Sequence, residues 1–357
     1  MGFNQMKPYL AMVALQCGYA GMNIITLISL KGGFSHWILA VYRHVVATLV
    51  VSPFAYFLEK KTRPNLTKSI FFKIVVLALL EPVLDQNLYY LGMQYTSATF
   101  ASATVNILPA ITFILAIIFR FEKVNMKKMA SLAKVIGTLI TVTGAMLMTM
   151  YKGPVIDILW YSHGGGHHKS AANAATDQHW VTGTIMLLCC IVSWAAFFIL
   201  QNKTLEEYPA ELSLTSLVCL MGAVEGGIAA TIMERSKRAW AIGFDSRLLA
   251  AAYSGIVCSG IAYYVQSVVN NTRGPVFVTA FSPVSMIVTA VLGAVVLSEQ
   301  VHLGSLIGAV IIVVGLYSVV WGKSKERSSS GKPTYDEGEA NKLPVVSSKT
   351  FLQEPDP

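Results

Sequence analysis

Apolar runs of about 20 residues recur along most of the chain, and each is long enough to cross a hydrocarbon core of about 30 Å. Ten can be placed, at 9–29, 38–58, 71–91, 99–119, 130–150, 181–201, 212–233, 248–268, 276–297 and 303–321. The pattern predicts an all-α polytopic membrane protein with ten transmembrane helices. No small-residue cleavage site follows the first run, and it is too long for the apolar part of a signal peptide. It is expected to stay as an anchor. Three stretches fall outside the pattern: a short N-terminus (1–8), a polar loop (151–180) and a Ser-, Pro- and Glu-containing tail (322–357) expected to be disordered.

The runs repeat. Tyr89, Tyr90 and Pro109 reappear 174 residues later as Tyr263, Tyr264 and Pro283, and Ile136–Gly144 (IGTLITVTG) aligns with Ile307–Gly315 (IGAVIIVVG). Residues 9–150 and 181–321 each hold five runs, an odd number, so the second half must enter the membrane from the opposite side. That predicts two inverted five-helix repeats with a site near the midplane at their interface. Gly137, Gly144, Gly304, Gly308 and Gly315 are expected to let helices approach closely.

Composition supports this class: 54% of the residues are hydrophobic and 13% are charged, about half the charge of a soluble domain. The net charge of +8 is therefore read through the loops. Placing the N-terminus inside puts fourteen Lys and Arg on inner segments and seven on outer ones, which sets both termini in the cytosol. The sequons at Asn65, Asn202 and Asn270 then fall on cytosolic loops. Nucleic acid is not an expected partner, because no basic stripe with stacking aromatics stands apart from those loops. Cys17, Cys189, Cys190, Cys219 and Cys258 lie in apolar runs and read as small buried residues. His163, His167, His168 and His179 cluster in the long loop without a cysteine or carboxylate framework, so the reading is a hydrophilic loop with no metal. No cofactor is expected.

Ionisable groups at membrane depth are costly and face a bundle interior or a watery cavity. The third run carries two, Glu81 and Asp85, with Gln86, Asn87, Tyr89 and Tyr90 beside them. At 100° per residue Glu81, Asp85 and Tyr89 share about 80° of a helix. A mid-membrane carboxylate suits proton coupling or amine recognition, whereas a structural pair with Arg43, Lys134 or backbone is the alternative. Pro82 frees a carbonyl in the same turn, as expected where a broken helix lines a cavity. In the fourth run Thr99, Ser102, Asn106 and Pro109 share a face. Tyr263, Tyr264 and Gln266 take the matching place in the second half, with Pro283 opposite. There the Glu81 and Asp85 positions become Gly255 and Ser259, which predicts an asymmetric site. Gln16, Tyr19, Asn23 and Trp194 are candidate walls. Arg43, placed about one turn below the outer surface, reads first as a snorkelling anchor and second as an attractor of a substrate carboxylate. Glu225 interrupts the seventh run and is a second candidate proton-binding group.

LQCGYAGMNI, YRHVVATLVVSPFAYFLEKKTRP, EPVLDQNLYYLGMQYTSATFASATVNILPAITF and RGPVFVTAFSPVSMIVTAVLGAVVLSEQVHLGSLIGAVIIVVGLYSVVWGKS resemble the plant nodulin-21/EamA-like transporters of the drug/metabolite transporter superfamily. That group includes the "usually multiple acids move in and out" facilitators and the Walls-Are-Thin-related auxin carriers. The resemblance covers about residues 8–325. It implies two EamA repeats and bidirectional or proton-assisted export of amino acids, with auxin as the runner-up. The EP-x-x-DQNLYY block is more similar to the amino-acid branch. Implied partners are a small-molecule substrate (amino acids, or auxin), membrane lipid and, as an open alternative, a second copy of the chain. The implied location is the plasma membrane, with the vacuolar membrane as alternative. An enzyme is not expected, since neither H-E-x-x-H nor G-x-S-x-G occurs. A seven-span receptor would lack the repeat.

Overall fold

Water cannot satisfy backbone groups inside a bilayer, so an apolar chain closes its hydrogen bonds within helices. The computed structural model describes residues 3–96, 101, 104–122, 127–151, 154, 177–236, 239–243, 245–296 and 303–329, and among them every regular element is helical. The order begins α1 (Phe3–Lys31), α2 (His36–Glu59), α3 (Lys68–Ala78), a π-helical segment (Leu79–Asp85), α4 (Gln86–Tyr95), α5 (Leu108–Ile118) and α6 (Met129–Met150). It continues with α7 (Asp177–Glu207), α8 (Glu211–Met233), α9 (Ser246–Tyr253), a second π-helical segment (Ser254–Ile261) and α10 (Ala262–Arg273). The last three are α11 (Pro275–Ala280), α12 (Ser282–Val296) and α13 (Leu303–Ser329).

Among the described residues, seven helical stretches are long and apolar enough to cross a membrane: His36–Glu59, Met129–Met148, Trp180–Glu207, Glu211–Met233, Ser246–Arg273, Pro275–Leu292 and Leu306–Glu326. The other three expected spans differ for visible reasons. Helix α1 carries Gln16, Tyr19 and Asn23, and the continuous stretch from α3 to α4 carries Glu81, Asp85, Gln86 and Asn87, all of which dilute apolarity. Of the fourth, Leu108–Ile118 is a described apolar helix. Thr99, Ser102, His163, His167, His168 and the tail beyond Ser329 lie outside the described residues, as does the side chain of His179. Residues 322–329, expected as tail, continue α13, because Lys323 and Glu326 are held by charges beside them.

The breaks recur with the repeat. The two π-helical segments occupy equivalent places in the two halves. In the first, Pro82 has no N–H to give, and its ring would clash in an α-helical turn, so the ladder widens to i→i+5. The helix before each repeated proline also breaks, at Asn106–Ile107 ahead of Pro109 and at Phe281 ahead of Pro283. Gly274 stops α10 at φ 85° and Pro275 starts α11, which turns Arg-Gly-Pro into a tight corner.

Packing is reciprocal. The first π-helical segment lies against α7 and α8, the opening helices of the second half. The second lies against α1 and α2, which open the first half. Helix α2 runs along α8, and α6 runs along α13. The last pair is close enough that a Cβ on Gly137 would come within 2.7 Å of the Val319 nitrogen, in line with the packing role expected of this glycine set. At the end of that pair Lys134, fully buried, donates to Glu122 Oε2 at 2.8 Å and to Glu326 Oε2 at 2.6 Å. Lys323 donates to Oε1 of the same Glu122. Outside, Leu49, Phe54, Phe57, Ile118, Leu139, Ile228, Ile232, Val310 and Tyr317 are exposed. A water-soluble protein rarely shows so large an apolar surface, and this one is an integral membrane protein whose apolar exterior meets lipid.

Candidate functional site

The polar residues of the third run turn inward. Glu81 (5% exposed), Asp85, Asn87, Arg43, His44, Gln16, Ser259, Tyr263 and Gln266 are all buried and drawn from α1, α2, the two π-helical segments, α4 and α10. The Tyr263 hydroxyl, from the second half, donates to Glu81 Oε2. Gln86 Nε2 donates to Glu81 Oε1 at 3.4 Å, a pairing five residues apart that the π-helical turn brings onto one face. A strict 100° step does not give this register. Five residues at 100° each would set the two side chains about 140° apart, and the widened turn at Pro82 closes that gap.

Arg43 is not a snorkelling anchor. It lies two turns inside α2, is 8% exposed, and its Nε donates to Ser259 Oγ at 2.5 Å. Burial beside the second π-helical segment is possible because Gly255, the counterpart of Glu81, has no side chain. A Cβ there would sit 2.7 Å from the Arg43 carbonyl oxygen and from Val46 Cβ. Arg43 lies within electrostatic range of Glu81, Tyr19, Tyr90 and Cys258, yet no ion pair within 4 Å joins it to a described acid. Lys134, the other cation considered as a partner for Glu81, is committed elsewhere.

Around this centre the predicted residues divide. Asp85 accepts from the Cys190 thiol at 3.0 Å. Asn87 Nδ2 donates to the Val83 carbonyl at 2.7 Å, and its buried Oδ1 has no partner among the described residues. Tyr89 and Tyr90 meet edge to face at 5.6 Å. Tyr90 also lies against His36, and Tyr89 stands near Asp85 and Cys190. Tyr19 lies near Gln266, within range of Arg43 and Glu81. Pro82, Pro109 and Pro283 are buried where their helices deform, Gln16 is buried on α1, and Asn106 is buried at its break. Three residues stand apart. Tyr264 is in range of Glu59 and Glu211 instead, Asn23 reaches Thr289 at 3.5 Å on an exposed edge, and Trp194 stacks on Phe198 in the apolar core. Glu225 is also separate, with both carboxylate oxygens occluded and bonded to none of the described residues.

Sequence reasoning missed Cys190 and His44. Cys190 gives no signal beyond an apolar run. His44 follows Arg43 in sequence, and its Nδ1 donates to the Ala40 carbonyl at 2.7 Å. Cys17 and Cys189 are exposed rather than buried. Among the described residues no His, Cys, Asp and Glu group could hold a metal. Two surface grooves lie elsewhere, one between α6 and α13 at Met129, Ile136 and Trp321, the other at Tyr42, Val46 and Ile242.

Comparison with known proteins carries the chain further. The EamA-like transporter family matches twice, at residues 6–150 and 181–321. Three WAT1-related proteins of Arabidopsis thaliana are 58%, 57% and 59% identical over 96%, 98% and 90% of this chain and 90%, 94% and 87% of their own length. A solved structure titled only "Crystal structure of protein" superposes with a TM-score of 0.68 at 15% identity, covering 88% of this chain and 98% of that one, and so shares its fold. A buried polar centre on broken helices, inside an apolar shell and within matches of this extent, leads to one conclusion: the chain belongs to the EamA-like transporter family, in its plant WAT1-related branch, and is a membrane transporter of small metabolites.

Proposed function

We propose that the protein is a secondary transporter that moves amino acids across a plant membrane, bidirectionally or with proton assistance, through ten spans arranged as two inverted repeats. Both termini would face the cytosol, and the plasma membrane is preferred over the vacuolar one. The observation that carries the reading is the Glu81–Tyr263 bond, in which a buried carboxylate of one half is held, among the described residues, by neutral donors, one of them from the other half. A carboxylate held this way can exchange its donor for a proton or a substrate ammonium. The reciprocal packing of the π-helical segments and the paired breaks before Pro109 and Pro283 support the inverted repeat.

Asp85, Gln86, Asn106 and the tyrosine hydroxyls add neutral and acidic groups suited to a zwitterion. Indole-3-acetate has no ammonium to meet Glu81, so auxin is the weaker substrate in this reading. Efflux of labelled glutamine from oocytes or liposomes should exceed that of auxin at matched gradients. Robust auxin flux with no amino-acid flux would promote the auxin reading in its place.

A further inference from the structure

A guanidinium inside a membrane protein brings five N–H donors that need answering as well as a charge. Arg43 uses one of them. Nε donates to Ser259 Oγ at 2.5 Å, while the terminal Nη nitrogens donate to no described residue. Glu81 is in electrostatic range but is engaged by Tyr263 and Gln86. Two opposite charges thus share one buried cluster, and each is bonded to neutral groups instead of to the other.

Ser259 matters because of its place. It stands 174 residues after Asp85, at the equivalent position of the second half. An aspartate there would close on the guanidinium as an internal salt bridge. A serine hydroxyl fixes the plane of the group through Nε and leaves the charge unneutralised. The two Nη groups then point outward from the bonded edge as a fork, the geometry that takes a carboxylate through two parallel hydrogen bonds. Tyr19 and Tyr90 are within electrostatic range of the same group.

We propose that Arg43, oriented by Ser259, is the anchor for a carboxylate of the transported molecule. For an amino acid this rests on the reading above, in which Glu81 receives the ammonium. The anchor itself serves any small monocarboxylate, indole-3-acetate included, and not an amine that lacks a carboxylate.

The test measures binding to the purified full-length chain for two matched pairs: L-glutamine against L-glutaminamide, and indole-3-acetate against indole-3-acetamide. In at least one pair the wild-type protein should prefer the carboxylate by about tenfold or more. Arg43→Gln should bring that preference to within about twofold. Arg43→Lys, which keeps charge but loses the fork, should lie between. Ser259→Ala should lower the preference about threefold in a folded protein. A preference confined to the indole pair supports the anchor and overturns the amino-acid reading. A wild-type protein that prefers neither carboxylate, or an Arg43→Gln protein that keeps the full preference, overturns the anchor. Should Arg43→Gln fail to fold, an unchanged preference in both Arg43→Lys and Ser259→Ala overturns it equally.

Discussion

Lys134 and Arg43 are both buried cations in helices of one bundle, and their surroundings are opposite. Lys134 meets two carboxylates, and one of these, Glu122, meets a second cation in Lys323. Every charge in that set is answered by charge. Arg43 meets a serine hydroxyl, and its acidic neighbour Glu81 meets a tyrosine hydroxyl and an amide. An ion-pair cluster resists exchange, because removing one member strands the others in low dielectric. Hydroxyl and amide partners carry no charge, so a proton or a substrate can replace them at smaller cost. The first arrangement joins the Glu122 segment, α6 and α13 into one unit, whereas the second leaves two opposite charges available between the halves.

The largest effect should come from breaking the first set. Lys134→Ala leaves Glu122 and Glu326 without their shared partner and should lower stability by about 3–5 kcal/mol. A denaturation series in detergent measures this, and flux normalised to folded protein should stay near wild type. An unchanged midpoint would mean that the cluster does not hold the helices together.

Glu81→Gln should reverse that pattern. Glutamine keeps the shape and can still accept from Tyr263, so stability should move by no more than about 1 kcal/mol. Transport should fall by about tenfold or more, or lose its dependence on pH, once the charge is gone. A Glu81→Gln protein that reaches the membrane and transports normally from acidic to neutral pH would make the carboxylate structural, and the contrast with Lys134 would collapse.

Tyr263→Phe is the subtler version. The ring remains packed between His44 and Phe197, at 6.4 and 6.0 Å between centroids. Only the donor to Glu81 is lost, which costs about 1–3 kcal/mol if the carboxylate stays charged. Apparent substrate affinity should shift several-fold while folding persists. An affinity within experimental error of wild type would show that the hydroxyl does not compete with substrate for Glu81.

Much of this was legible before any coordinates. The helical class, the repeated Tyr-Tyr and Pro positions, the glycine stripe and the inward carboxylates all follow from apolar spacing and from the cost of polar groups in hydrocarbon. What escaped reading has physical reasons. A 100° step cannot anticipate that Pro82 widens its turn and moves Gln86 beside Glu81. Nor can a linear pattern place Arg43 against Ser259, 216 residues away, since that contact depends on Gly255 vacating the space. Tyr264 illustrates the same limit from the other side. It repeats Tyr90 in sequence, but while its neighbour Tyr263 bonds Glu81, the Tyr264 side chain is in range of Glu59 and Glu211 instead.

The smallest expected effect is none at all, and it fixes which side of the membrane the Lys134 set faces. All three sequons were read as cytosolic loop sites. The structure separates them: Asn202 and Asn270 lie within α7 and α10, buried, with Asn202 Nδ2 donating to the Asn270 carbonyl at 2.7 Å and Asn270 Nδ2 to the Phe198 carbonyl at 2.9 Å. A glycosyltransferase cannot reach them in either orientation, so their silence reports nothing. Asn65 is exposed on the connection between α2 and α3, the same side as the Glu122 segment if the chain crosses twice between them. That connection is short. A flexible Gly/Ser insert carrying a second sequon beside Asn65 gives the site reach without disturbing either helix. In microsomes neither Asn65 nor the insert should gain sugar, whereas the same insert placed within residues 151–180 should. Sugar at Asn65 would put the Lys134 cluster on the outer face and invert the whole assignment. The division between locked and exchangeable charges would stand, because it depends on partners and not on sidedness.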